Sequence, residues 1–211
     1  MMLENQAKCI LTTDLNVSRE TMQDLCTIVE LLKKWNKAIN LVGKSTIDEV
    51  WGRHILDSAQ MWTKKPNNLR AWVDLGSGGG FPALVLAAIA KDKMPEVKFH
   101  LIESDARKCA FLRNVSRETS LNTKIHNIRI ENAEPIVADV VSARALASVS
   151  ALLELSQKFL TDNTFCLFLK GQACARDVAK ARESWCFQSE VTKSMSDDTG
   201  TILKVWNIKR A

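Results

Sequence analysis

Apolar positions recur at helical spacing through the first part of the chain, and short apolar runs alternate with amphipathic stretches through the rest. Met22, Leu25, Val29 and Leu32 form one stripe, widened by Ile28, Leu31 and Trp35, and Ser18 stands where an N-cap is needed. This predicts a helix of about twenty residues from Ser18 toward Asn40, with Lys33, Lys34 and Lys37 on its exposed end, and a second helix over 47–62. Lys64-Lys65-Pro66-Asn67-Asn68 breaks the pattern and separates a helical region, 1–70, from a second region, 71–211. There, runs at 71–75, 97–102, 124–130, 137–142 and 164–169 read as strands, and helical stretches lie over 81–90, 106–119, 149–160 and 173–182. In the helix over 106–119, Ala110, Phe111 and Val115 point inward and Arg107, Lys108, Arg113 and Arg117 outward. A terminal hairpin, 185–193 and 201–209, is joined by 194–200. Strands that alternate with helices imply a parallel sheet with right-handed crossovers, closed here by an antiparallel pair.

The chain is organised around Ala71-Trp72-Val73-Asp74-Leu75-Gly76-Ser77-Gly78-Gly79-Gly80-Phe81-Pro82. Strand, glycine turn and helix in that order bring backbone N–H groups close to a nucleotide-like ligand at the positive end of a helix. Pro82 suits that helix's first turn. A dinucleotide fingerprint needs glycine at its sixth position, and that position holds Phe81. Asp74 would repel a pyrophosphate and attract a cation. A sulfonium donor, S-adenosylmethionine, therefore fits better than NAD(P), and Asp74, Gly76 and Gly78 are its first candidate contacts. A seven-stranded, mostly parallel Rossmann-like sheet that ends in a hairpin is the arrangement expected of class I methyltransferases.

Glu103, at the end of the second strand, lies where a carboxylate accepts from ribose hydroxyls. Glu131-Asn132-Ala133-Glu134 follows the third strand and is placed to meet an adenine edge. The acceptor belongs after the fourth strand, and Ser142-Ala143-Arg144-Ala145 there contains no Asn/Asp-Pro-Pro-aromatic clamp for an exocyclic amine. No cysteine is placed to attack a pyrimidine carbon. Acceptors that are already nucleophilic, such as guanine N7, remain, together with acceptors activated by a base elsewhere. Arg144 and Lys170 are positioned to hold a phosphate or guanine O6.

Composition narrows this little further. A net charge of +5 permits a polyanionic partner without requiring one. Six cysteines without a Cys-x-x-Cys pair, and three histidines, predict neither zinc nor a disulfide framework, and point to a reducing cytoplasm. No apolar run approaches the ~20 residues of a membrane span. A non-enzymatic RNA-binding module would need an array of stacking aromatics, and the chain has no tyrosine.

Trp35-Asn36-Lys37-Ala38-Ile39-Asn40-Leu41-Val42, Arg53-His54-Ile55-Leu56-Asp57-Ser58, the glycine turn, Lys108 to Leu112, Ser142 to Ser148 and Leu169-Lys170-Gly171 together resemble the RsmG family, also called glucose-inhibited division protein B. The resemblance runs from about residue 20 to the C-terminus. It implies methylation of N7 of a guanosine in the 530 loop of 16S ribosomal RNA, with the RNA or the small ribosomal subunit as partner; a monomer is expected. Position by position, it implies donor binding by Gly76, Phe81, Ala133, Glu134 and Arg144. It also makes Arg53, His54, Asp57 and Lys170 RNA or active-site groups. Two features depart from the family pattern: Ala143 separates Ser142 from Arg144, and Gly79 stands where alanine or proline is usual, which should loosen the turn.

Overall fold

Every residue from Phe81 to Ala90 is buried. A helix with no polar face must be covered on all sides, and that requirement shapes the architecture. In the computed structural model, which describes residues 2–211, this helix (α4, Ala83–Lys93) lies between a seven-stranded sheet and the N-terminal helices. The strands are β1 (Ala71–Leu75), β2 (Lys98–Glu103), β3 (Thr123–Asn127), β4 (Val140–Arg144), β5 (Phe165–Lys170), β6 (Trp185–Lys193) and β7 (Thr201–Arg210). Their order is β3-β2-β1-β4-β5-β7-β6, parallel from β3 to β5, with β7 antiparallel to both β5 and β6. The mostly parallel sheet with a terminal hairpin is the predicted one.

Side chains alternate across the sheet with period two. Trp72, Phe99, Leu101, Val140 and Leu167 face a core shared with α4, the helix α5 (Ala106–Glu118) and the N-terminal region. Val73, Leu75, Val141, Ala143 and Phe168 face a second core under α6 (Val149–Ser156) and α7 (Cys174–Ala181). The N-terminal helices thus complete the first core.

Several boundaries differ from the sequence reading. A helix α1 (Glu4–Thr13) precedes the predicted ones. It buries only Ala7 and Leu11, and its N-cap, Leu3, has no hydrogen-bonding side chain, so its pattern is weak. Helix α2 (Arg19–Trp35) starts as expected, with Ser18 Oγ accepting from Thr21 N–H at 3.2 Å, but ends short of Asn40, because the Asn36 side chain turns to the N–H groups of Leu41 and Val42. The predicted helix 47–62 is instead a π-helical turn (Trp51–Leu56), a single α-turn (α3, Asp57–Ala59) and a 3-10 turn (Gln60–Lys64), with Asp57 N–H donating to the Gly52 carbonyl, five residues back. The third strand stops at Asn127 and Ile130–Asn132 forms a 3-10 turn. The fourth begins at Val140, because Asp139 turns its carboxylate to the backbone N–H groups of Arg70 and Ala71, at 2.7 and 2.9 Å. On α5 the buried stripe is Cys109, Phe111, Leu112 and Val115; Ala110, expected inside, is exposed because it lies one helical step off that stripe.

Candidate functional site

β1 has β2 on one side and β4 on the other, and the strand order runs outward from it in opposite directions, β1 to β3 one way and β4 onward the other. This is the switch point at which an open α/β sheet binds its ligand beyond the carboxyl ends of the strands. A cavity of about 390 Å³ opens there, bounded by Gly76 to Gly79, Phe81, His54, Lys108, Arg144 and Ala145, and roofed by Leu41 to Gly43 with Thr46.

The turn that forms its floor depends on glycine at two positions for different reasons. Gly76 has φ +64°, a left-handed conformation that side chains resist. Gly79 is ordinary in φ, but a Cβ there would stand 2.9 Å from the Leu41 carbonyl oxygen. This glycine admits the strap 41–43 to close contact, where the sequence reading expected only a looser turn. The strap itself is held by Asn36, whose Oδ1 accepts from the N–H groups of Leu41 (2.9 Å) and Val42 (3.0 Å). That contact explains the asparagine after Trp35, a role the sequence did not disclose.

Glu103 is buried. One carboxylate oxygen accepts from Gly78 N–H at 2.9 Å and the other from Asp105 N–H at 2.8 Å, so it braces the turn from β2. Ala133 is buried with its N–H donating to the Ile130 carbonyl (3.2 Å), and Glu134 is exposed; neither lines the cavity.

Asp74 lies beneath the turn and not on the cavity wall. Trp72 Nε1–H donates to Ser142 Oγ at 2.8 Å, and Ser142 Oγ–H donates to Asp74 Oδ1 at 2.6 Å, tying β1 to β4; Oδ2 has no partner. Burial pushes the Asp74 carboxyl up to about 7, against the lowering hydrogen bond from Ser142. The folded state therefore holds a proton that the unfolded chain has released, and stability contributed by this group falls as pH rises from about 4 to about 7, by roughly 1 kcal/mol per unit. Asp74→Asn should gain stability relative to wild type across that window in denaturant titrations. His54, lowered to about 3, acts with the opposite sign below its ordinary value, so the difference between the two proteins is the informative quantity. A gap that does not change with pH would show that Asp74 is not the titrating group.

The π-helical turn brings Arg53 and His54 to this rim. The His54 ring stacks on Phe81 with centroids 5.0 Å apart, and its Nε2 is 2.9 Å from Thr46 Oγ1. Burial, then the charges of Arg144 and Arg53, lower its pKa to about 3, so it is an uncharged imidazole at neutral pH. Arg144 ends β4; its Nη2 donates to the Arg53 carbonyl at 2.7 Å, whereas its buried Nη1 has no partner.

A second cavity, about 240 Å³, shares Arg144 and Ala145 with the first and adds Arg53, Asp57, Lys170 and the hairpin turn around Ser196, Asp197 and Gly200. Lys170 pairs with Asp177 (2.8 Å) and donates to the Ala147 carbonyl (2.9 Å); Arg53 pairs with Asp197. Of the residues singled out from sequence, Gly76, Gly78, Phe81, His54 and Arg144 line the first cavity, and Arg53, Asp57, Lys170 and Arg144 the second. Sequence reasoning missed Lys108, which it placed on a solvated face, and the hairpin turn 194–200, which it read as a connector. Among the described residues no helix is long and apolar enough to cross a membrane, and no cluster of His, Cys, Asp or Glu could hold a metal.

The sheet order, the glycine turn after β1 and the acidic end of β2 define a class I S-adenosylmethionine-dependent methyltransferase. Solved structures share this fold: the chain is similar to M. jannaschii TYW2 in complex with AdoMet (TM-score 0.57, 16% identity, 83% of this chain and 80% of that one). It is likewise similar to precorrin-6y C5,15-methyltransferase from Geobacter metallireducens GS-15 (TM-score 0.52, 14% identity, 80% and 91%). Sequence likeness is closer and more particular. Residues 21–202 match the family model GidB, rRNA small subunit methyltransferase G. The chain is 50% identical over 192 residues to the Ribosomal RNA small subunit methyltransferase G of Rhodospirillum centenum, covering 91% of this chain and 87% of that protein. It is 48% identical over 191 residues to the protein of that name from Cereibacter sphaeroides, covering 90% and 93%. The chain belongs to the GidB family.

The site fits S-adenosylmethionine on its own geometry. The cavity has the size of a small-molecule site, its floor is a glycine cradle and its side is an uncharged aromatic pair. Phe81 fills the place of the third glycine of a dinucleotide site and is packed against His54.

Proposed function

We propose that this protein methylates N7 of a guanosine in the 530 loop of 16S ribosomal RNA, in line from S-adenosylmethionine and without a covalent enzyme intermediate. The observation that carries the reading is the pair of cavities joined at Arg144, one floored by the glycine turn and the other open between the π-helical turn and the hairpin. Family membership and the names of the relatives support ribosomal RNA as substrate. No cysteine lines either cavity, which suits an acceptor attacked without an enzyme nucleophile.

Bound S-adenosylmethionine supplies an electrophilic methyl on a sulfonium. Gly76 and Gly78 would present backbone to it, and Phe81 would pack against it. Glu103, whose oxygens each keep a second lone pair, would accept from the ribose. Ala133 and Glu134 do not line the cavity and carry no part of this reading. Asp74 would act through the turn that it supports. Uncharged His54 places no repelling charge beside the sulfonium. Guanine N7 has an in-plane lone pair and no proton, so no general base is required, and the protein's work is alignment and exclusion of water. Arg144, Arg53, Asp57 and Lys170 would hold the base and its phosphates. The enzyme would act as a monomer in the cytoplasm.

The test is transfer of tritium from labelled S-adenosylmethionine to small ribosomal subunits and to deproteinised 16S RNA, followed by nucleoside analysis. Label in 7-methylguanosine is expected. Label in another nucleoside would discard N7, and absence of label despite donor binding would discard this acceptor.

A further inference from the structure

In the second cavity the charged side chains are largely tied to one another or to backbone. Lys170 is held by Asp177 and the Ala147 carbonyl, and Arg53 by Asp197. Two positions stand apart. Arg144 is anchored through Nη2, and its buried Nη1 has no acceptor. Asp57 is anchored through Oδ1, which accepts from Gln60 Nε2–H (2.9 Å), Ser194 Oγ–H (2.8 Å) and Ser196 Oγ–H (3.0 Å); none of these donors uses Oδ2. Arg144 thus offers a donor and Asp57 an acceptor, each fixed by its other end, beside Arg53, which is paired through Nη1 alone and is part-exposed.

We propose that these two groups select guanine: Arg144 Nη1–H donates to O6, and Asp57 Oδ2 accepts from N1–H. The inference rests on the guanine-N7 reading above and names the groups that choose the base. O6 and N1–H are neighbours on guanine, an acceptor beside a donor, whereas adenine presents the reverse order. N7 lies on the other side of O6, so a base held this way turns N7 toward Arg144 and Ala145, the wall common to the donor cavity. A cavity of about 240 Å³ has room for one base flipped out of its stack.

The N7 lone pair forms the new C–N bond as the S–C bond breaks; sulfur keeps that electron pair and becomes a neutral thioether. The base becomes cationic and keeps its N1 proton. The developing charge makes N1–H a stronger donor, so its bond to the Asp57 carboxylate strengthens toward the transition state. Ser194 and Ser196, on the hairpin turn, are positioning residues for that carboxylate.

The experiment uses the full chain and small subunits reconstituted with 16S RNA carrying one analogue at the methylated position. Inosine keeps O6, N1–H and N7, and wild-type transfer should stay within about five-fold of guanosine, because the absent 2-amino group has no assigned partner. 2-Aminopurine keeps N7 but loses both O6 and N1–H, and transfer should fall at least about 100-fold, since two buried groups are left unpaired. The second arm is Asp57→Asn, whose oxygen still accepts the three protein hydrogen bonds. Donor affinity should match wild type, whereas turnover on guanosine should fall about 100-fold at neutral pH.

As pH rises through the range where guanine N1 loses its proton, wild-type activity should decline and Asp57→Asn activity should rise, because the amide can donate to the N1 anion. Arg53, Arg144, Lys170, Asp177 and Asp197 surround this cavity in both proteins, so the difference between the profiles isolates position 57. Equal transfer to 2-aminopurine and guanosine, or a loss in Asp57→Asn without reversal of the profile, would overturn the proposal. Absence of 7-methylguanosine with wild-type enzyme on unmodified RNA would instead overturn the guanine-N7 reading itself.

Discussion

Gly76→Val should reduce donor affinity at least about 100-fold by calorimetric titration, with a fall in melting temperature of about 5–10 °C. Gly76 has φ +64°, and a β-branched residue there is a steric outlier. An added Cβ would also stand 2.9 Å from Leu146 Cδ1. Leu146 is a partly exposed side chain that can move aside, so the backbone conformation is the larger obstacle. The turn must flip out of the left-handed region, and its N–H groups then no longer frame the cavity. Two companions separate the causes. Gly76→Asn tolerates this conformation and should keep most of the stability while still narrowing the cavity. Gly76→Val combined with Leu146→Ala should recover little; full recovery would assign the effect to crowding by Leu146.

Arg144→Met should lower methyl transfer at saturating donor by roughly 100- to 1000-fold, the cost of removing one preorganised donor from a water-excluded site. Methionine keeps the apolar stem but loses all three guanidinium nitrogens. Nη1 is the buried group without a protein partner, and Nη2 holds the Arg53 carbonyl and with it the π-helical turn. Burial already lowers the Arg144 pKa, a sign that the charge is kept there against a desolvation cost. Donor affinity should change far less than turnover, because Arg144 meets the donor cavity at its edge while the glycine floor stays intact. A loss confined to donor affinity, with turnover preserved at saturation, would place Arg144 on the donor side alone.

Much of the fold is legible one segment at a time. The apolar run at 81–90 requires cover on every side. The alternation of runs and helices yields the parallel sheet, and Phe81 after four glycines in five positions turns the ligand reading away from dinucleotides. These features are local: periodicity and backbone freedom depend on neighbours in the chain. The helix predicted over 47–62 shows where this ends. The backbone there widens into a π-helical turn, and Arg53 and His54 meet partners far away in sequence.

Sequence determined the alternation of strands and helices from residue 71 onward and the glycine floor, and its family resemblance named Arg53, His54, Asp57, Arg144 and Lys170 as candidates. Only tertiary structure decided that Asp74 supports the turn from beneath and that Gly79 makes room for the Leu41 strap. It also decided that Asp57 is oriented by serines 137 and 139 positions away. The physical reason is the same in each case: burial and hydrogen-bond partnership are set by segments that meet only after the chain has folded, and no spacing along the chain encodes which carboxylate oxygen is left free.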